Sequence, residues 1–168
     1  MGRQDEAVPA TRVSILGAGS WGLTLAQMLG GKENYSVKVY CRDADRCLRL
    51  SQLHVMDKPR EQALPPGVRL FSELKPCLDA DYIIAACTSQ GLRSLLLSIA
   101  ELKVPVPVLI SAVKGLELQT HMRMSEVVAS VLPETRVAVL SGPNLAMEVL
   151  NGMPTASVVA ANDLELAK

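Results

Sequence analysis

Four short stretches of this chain combine residue types at spacings that chemistry needs. The first is Gly17-Ala18-Gly19-Ser20-Trp21-Gly22, directly after the apolar run Arg12–Leu16 and directly before a helical pattern. In a G-x-G-x-x-G between strand and helix, the first Gly permits the tight turn and the second lets a pyrophosphate approach the backbone. The third lets helix and strand pack closely. The helix start adds free N–H groups and a positive dipole end for the phosphates. Outside that context the same spacing would mark only a tight turn.

A dinucleotide turn predicts a reader of the adenosine ribose about twenty residues past its third Gly. Arg42 stands there, at the end of the alternating run Ser36–Cys41. An acidic residue would bond both ribose hydroxyls and favour NAD. A guanidinium suits a 2′-phosphate instead, so the cofactor reads as NAD or NADP with a lean to NADP. The competing reading of Arg42 is a solvated arginine at a helix start. The other two stretches are not required by a generic dinucleotide fold. Lys114-Gly115-Leu116-Glu117 ends the strand pattern Val106–Val113. Its ammonium can neutralise a phosphate or polarise a carbonyl oxygen. Ser141-Gly142-Pro143-Asn144 ends the strand pattern Arg136–Leu140. Pro in a first helical turn costs no hydrogen bond and Gly permits close approach, so this reads as a second anion-ready helix start or as a plain cap.

These residues need elements to hold them, and strand and helix patterns alternate along the chain. Helical spacing covers Trp21–Leu29, stopped by Gly30-Gly31, and a helix capped by Asp43 runs to about Leu53. His54–Gly67, with Pro59, Pro65 and Pro66, reads as loop. Then come a strand Val68–Phe71, a short helix Ser72–Leu78, the apolar run Tyr82–Cys87 and a helix Leu92–Leu102. The strand ending at Val113 precedes a helix Leu118–Leu132, the strand ending at Leu140 precedes a helix Pro143–Leu150, and a last strand Thr155–Ala160 precedes a helix capped by Asn162 or Asp163. Continuous apolar strands imply burial on both faces, hence a doubly wound, mainly parallel α/β sheet of the Rossmann type over residues 11–168. Residues 1–10 read as a loose arm. Ligands of such a sheet bind outside the carboxyl ends of its strands, where all four stretches fall.

Composition excludes other classes. Hydrophobic residues are 49% of the 168, and 17 basic and 17 acidic residues cancel. A neutral chain with one Trp, three Tyr and one Phe lacks both the basic patch and the stacking platform of a nucleic-acid binder. Cys41, Cys47, Cys77 and Cys87 form no Cys-x-x-Cys and, with only His54 and His121, no zinc pattern. They read as reduced thiols in a cytoplasmic protein, and both histidines as structural or solvated. Val13–Gly31 carries no charge, but its five glycines, Ser14, Ser20, Thr24 and Gln27 argue against a membrane or signal segment.

The motifs together resemble the N-terminal domain of bacterial-type NAD(P)-dependent glycerol-3-phosphate dehydrogenase. The resemblance rests on Val13–Gly22, Ser111–Glu117 and Ser141–Glu148, continued by Gly152–Ala156, in family order and spacing over about residues 11–168. It implies an oxidoreductase interconverting sn-glycerol 3-phosphate and dihydroxyacetone phosphate, which supplies a glycerophospholipid precursor. It implies that Ser20, Trp21 and Arg42 contact the dinucleotide beside Gly17, Gly19 and Gly22. Lys114 would touch both cofactor and substrate, Gly142 and Asn144 the glycerol phosphate, and Ala146 the cofactor again. The partner is then a small phosphorylated triose, with no nucleic acid, membrane or metal, and with room for a homodimer in the full-length enzyme. Many relatives place Pro before the Ser of Thr88-Ser89-Gln90. The family's proton-transferring lysine belongs to a helical C-terminal domain beyond Lys168, so no catalytic residue is assigned here. The runner-up readings are another β-hydroxyacid-type dehydrogenase and a non-catalytic NAD(P)-binding module.

Overall fold

A computed structural model describes residues 10–168, so the arm expected over 1–10 lies outside the described residues save for Ala10. The chain runs β1 (Thr11–Leu16), α1 (Ser20–Gly30), β2 (Tyr35–Tyr40), α2 (Ala44–Leu53), β3 (Val55–Met56), β4 (Gln62–Ala63) and β5 (Val68–Phe71). It continues through α3 (Lys75–Leu78), β6 (Tyr82–Ala85), α4 (Ser89–Glu101), β7 (Val108–Ser111), α5 (Met124–Val131), β8 (Arg136–Ser141), α6 (Ala146–Leu150), β9 (Val158–Ala161) and α7 (Leu164–Ala167). A seven-stranded sheet has the order β5-β2-β1-β6-β7-β8-β9. Its neighbours pair in parallel except β8 and β9. The chain winds outward from β1 to β5, then returns and winds the other way from β6. The order therefore reverses between β1 and β6, and the crevice of a doubly wound sheet opens there.

Alternation along β1 sends Val13 and Ile15 to one face, against Leu23 and Ala26 of α1. Leu16 joins Leu92 and Leu96 of α4 on the other. Each such side chain, fully buried, contributes about 1.5–3 kcal/mol. Two helix ends form as the sequence indicates. Asp43 caps α2 by accepting from Arg46 N–H, and α1 stops at Gly30 with Gly31 as its C-cap.

Five expectations are corrected. The loop expected over 54–67 contains the β3–β4 hairpin, because Met56 turns inward to full burial in the α1-side core. α5 begins at Met124, not Leu118: Leu118 is 71% exposed, and residues 116–123 form a loop closed by a Leu116–Arg123 bridge with His121 at φ +57. α6 begins at Ala146, so Pro143 is in no helical turn. The buried Asn144 amide donates to Thr155 Oγ1, the Ala156 carbonyl and Ser157 Oγ, and this draws residues 143–145 away from helix. The same bonds occupy Thr155–Ser157, so the last strand starts at Val158. α4, by contrast, starts early and takes in Ser89 and Gln90.

Candidate active site

The glycine turn sits at the reversal point. Gly17 has φ +134, and a Cβ there would stand 2.6 Å from the Ala86 carbonyl oxygen at the end of β6. A Cβ on Gly22 would stand 1.9 Å from the Gly17 carbonyl oxygen, so α1 packs on the turn itself. Gly19 differs from both. Its φ of −77° and ψ of −179° are open to any residue, and nothing lies within 4 Å of its Cβ position. Neither conformation nor contact inside the protein requires glycine at 19. The free space in front of it suits a pyrophosphate that any side chain would obstruct. The first backbone bond of α1 runs from Leu23 N–H to the Gly19 carbonyl, which leaves the preceding amides for a ligand.

A cavity of about 470 Å³ opens beside the turn, lined by Gly17, Gly19, Arg42, Arg46, Cys87 and Thr88 among others. Arg42 is exposed at its rim and forms no ion pair among the described residues. Arg46, in the first turn of α2, is the residue that sequence reasoning missed. Its Nη2 donates to the Ala18 carbonyl at 2.7 Å and to Asp57 Oδ1 at 2.6 Å, and its Nε to Asp57 Oδ2 at 2.8 Å. Those bonds hold the Asp57 carboxyl below the usual carboxylate range. Burial pushes the Cys41 and Cys87 thiols up, so both stay protonated at neutral pH. The four cysteines are free thiols.

A second group assembles at the ends of β7 and β8. Lys114 Nζ donates to the Asn144 carbonyl at 3.0 Å and the Gly142 carbonyl at 3.3 Å, joining the two motifs directly. Gly142 has φ +152, and a Cβ on it would press on the Ala156 carbonyl oxygen at 2.3 Å. Asn144 is 5% exposed, and its Oδ1 is buried without a partner. α6 leans on α1, where the Thr24 hydroxyl lies 3.5 Å from the Ala146 carbonyl. Ser20 opens α1, and Trp21 packs against the core on that face. The structure thus joins Lys114, Gly142 and Asn144, with Ala146 against α1, but none of the four lines the cavity beside the glycine turn. The helix start expected at Pro143 is absent, so Ser141–Asn144 offers backbone and a side-chain oxygen, not a helix dipole.

The Lys114 loop is pinned from α4. Arg93 forks onto Glu117 at 2.8 Å through both Nε and Nη2. Gln90 donates to the Leu116 carbonyl at 3.0 Å and accepts from Leu118 N–H at 3.1 Å. Hydrogen bonds from Arg93, then from Thr120, hold the Glu117 carboxyl down to about 2. A larger cavity of about 900 Å³ lies over β8 and β9 and reaches Lys114, Gly115 and Ser141. Its charged residues are largely spent on each other, Arg123 with Glu126 and Arg136 with Asp163, so size alone does not make it the ligand site. Among the described residues no His, Cys, Asp and Glu side chains converge as a metal site. None of the helices there is long and apolar enough to cross a membrane.

Residues 12–167 match the family model for the N-terminus of NAD-dependent glycerol-3-phosphate dehydrogenase. The chain belongs to that family. It is 39% identical over 163 residues to glycerol-3-phosphate dehydrogenase [NAD(P)+] of Corynebacterium glutamicum (strain R), which covers 93% of this chain and 48% of that protein. With the enzyme of the same name from Bradyrhizobium sp. (strain ORS 278) it shares 34% identity over 157 residues, covering 92% and 47%. The crystal structure of glycerol-3-phosphate dehydrogenase from Coxiella burnetii superposes with a TM-score of 0.84 at 28% identity, covering 94% of this chain and 48% of that one. The chain therefore spans about half the length of the curated relatives it matches.

Proposed function

We propose that this chain is the dinucleotide-binding part of an oxidoreductase that interconverts sn-glycerol 3-phosphate and dihydroxyacetone phosphate. Oxidation of the secondary alcohol moves a hydride to NAD(P)+ and releases a proton; reduction of the ketone is the reverse. The nicotinamide supplies the redox chemistry when bound, and the protein supplies orientation and charge. The observation that carries this reading is Gly19, a glycine required by nothing within the protein and facing open space at the sheet's reversal point. Gly17 and Gly22 shape the turn. Ser20 and Trp21 meet the dinucleotide at the start of α1, and Ala146 meets it from α6.

Arg42 grips the adenosine ribose end and tips the preference to NADP over NAD. Lys114 lies between cofactor and substrate. Gly142 presents backbone to the glycerol phosphate and Asn144 meets the same group, as the family resemblance implies. A helical second domain supplies the proton-transferring lysine, as the family resemblance implies. Free thiols suit a reducing, cytoplasmic location.

Titration of the purified 168-residue chain with NADH and NADPH, followed by nicotinamide fluorescence and calorimetry, tests the reading. Both should bind saturably, NADPH more tightly, with no oxidation dependent on dihydroxyacetone phosphate. Absence of binding overturns the cofactor assignment. Turnover abolished by Lys114→Ala would make Lys114 the proton donor and remove the need for a second domain in that step.

A further inference from the structure

Two arginines of the same helix start line the dinucleotide cavity, and their situations are opposite. Arg42 is exposed at the rim, with no carboxylate partner among the described residues. Arg46 is half-buried, and four of its five N–H donors have partners. Nη2 serves both the Ala18 carbonyl and Asp57, Nε serves Asp57, and Nη1 lies 3.9 Å from Cys41 Sγ. We propose that Arg46 is a positioning residue for the phosphate-binding turn, with Asp57 as its anchor, and that it reads no phosphate itself. The inference rests on the dinucleotide reading of the crevice and deepens it.

The Ala18–Gly19 peptide is planar and trans, so its C=O and N–H point in opposite directions. Arg46 draws the Ala18 carbonyl toward α2. The Gly19 N–H is thereby turned away from α2, at the residue whose open side awaits the pyrophosphate. The anchor is rigid as well. Asp57 follows Met56, which is fully buried in the core, and Arg46 is itself fixed by its backbone N–H, which donates to the Asp43 cap. The β3–β4 hairpin, Arg46 and the glycine turn thus form one connected unit, and Arg46 is already paired with Asp57, which Arg49 also reaches at 3.4 Å, before any ligand arrives.

The test uses the 168-residue chain and the variants Arg46→Gln, Arg46→Lys and Asp57→Asn, with circular dichroism to check the fold. The first measurement is the backbone amide signal and exchange rate of Gly19 in ligand-free protein. It should move in Arg46→Gln, and move less in Asp57→Asn. The second is affinity for NADH and NADPH. Arg46→Gln should weaken both equally, by about tenfold for one lost charge-assisted bond to a buried carbonyl. Asp57→Asn should weaken both by less. Arg46→Lys can serve the carbonyl or the carboxylate but not both, and should fall between parent and Arg46→Gln. A loss confined to NADPH overturns the proposal and makes Arg46 a 2′-phosphate reader; tighter NADPH binding in Asp57→Asn does the same. An unmoved Gly19 amide with unchanged affinities also overturns it. If the parent chain binds neither nucleotide, the cofactor reading has failed, and the amide measurement alone still decides whether Arg46 holds the turn.

Discussion

The two ends of the parallel sheet are built to different rules. At the amino ends, charge is cancelled: Arg12 bonds Asp79 at 2.6 Å and Asp81 at 2.7 Å, and Arg136 pairs with Asp163. At the carboxyl ends, Arg42 has no carboxylate partner among the described residues, and Lys114 is held only by two carbonyl oxygens. The glycines follow the same division. Gly17 and Gly142, both at positive φ and both too tightly placed for a Cβ, come directly after β1 and β8. One end of the sheet therefore satisfies itself, while the other keeps positive charge and exposed backbone in reserve. Such a reserve lowers the cost of holding an anion, because neither cation has to leave a carboxylate first and the backbone N–H groups of the turn are free to donate.

The sharpest way to break the comparison is to fill the reserve. Gly19→Val places a branched side chain in the open space where the pyrophosphate must come. Nucleotide binding should fall beyond detection while the far-ultraviolet circular dichroism and melting temperature stay near those of the parent. Retained affinity would mean that the turn is structural only. Gly22→Ala makes the opposite demand. Its Cβ would stand 1.9 Å from the Gly17 carbonyl oxygen, so this variant should lose stability, by about 1–3 kcal/mol for an overpacked site. A thermal melt separates the two glycines: position 22 serves the fold, position 19 the ligand.

Next in size is Arg42→Ala. Losing a charge-assisted bond at a partly exposed site costs about 1.5–3 kcal/mol, or roughly ten- to a hundred-fold, on NADPH and much less on NADH. Arg12→Ala, at the other end of the sheet, should leave both affinities alone. Equal losses for the two nucleotides in Arg42→Ala, or any loss in Arg12→Ala, would erase the distinction between the ends.

The legible parts of the site are those where backbone physics fixes residue type and spacing at once. The glycines of the turn are of this kind, because one turn and one ligand approach dictate them. The position of Arg42 at the cavity rim is legible because a single βαβ unit sets its distance, and that of Lys114 at a strand end because it closes an apolar run. What escaped depends on partners far apart in sequence. Arg46 meets Asp57 eleven positions on, across a stretch that reads as loop, and Arg93 meets Glu117 at a separation of 24. No local pattern marks either pair. The misplaced helix starts have the same origin. Leu118 continues an apolar spacing but faces solvent, and Pro143 fits a first helical turn until the Asn144 amide commits its neighbourhood to residues 155–157.

The smallest expected effect concerns how the Lys114 loop is held, and it sharpens the comparison through pH. Glu117 has a carboxyl held down to about 2 from an ordinary 4.5, first by the Arg93 bond and then by Thr120. A carboxylate depressed in the folded state contributes stability that is fully present above its unfolded pKa and is lost as pH falls through the folded one. The melting-temperature gap between parent and Glu117→Gln should therefore be widest above about pH 4.5 and shrink steadily toward about pH 2. At the amino end, the Arg12 bonds lower the Asp81 carboxyl in the same direction, so Asp81→Asn should show a gap that also closes in acid. Salt should tell the two apart. The Asp81 side chain is 42% exposed and the Glu117 side chain 10%. Mobile ions screen exposed charges within about 10 Å at 0.1 M and reach buried ones far less. Raising ionic strength at pH 7 should thus erode the Asp81 gap and leave most of the Glu117 gap standing. A Glu117 gap that ignores pH, or that collapses with salt as fast as the Asp81 gap, would show that the Lys114 loop is held by packing and backbone bonds rather than by its buried ion pair.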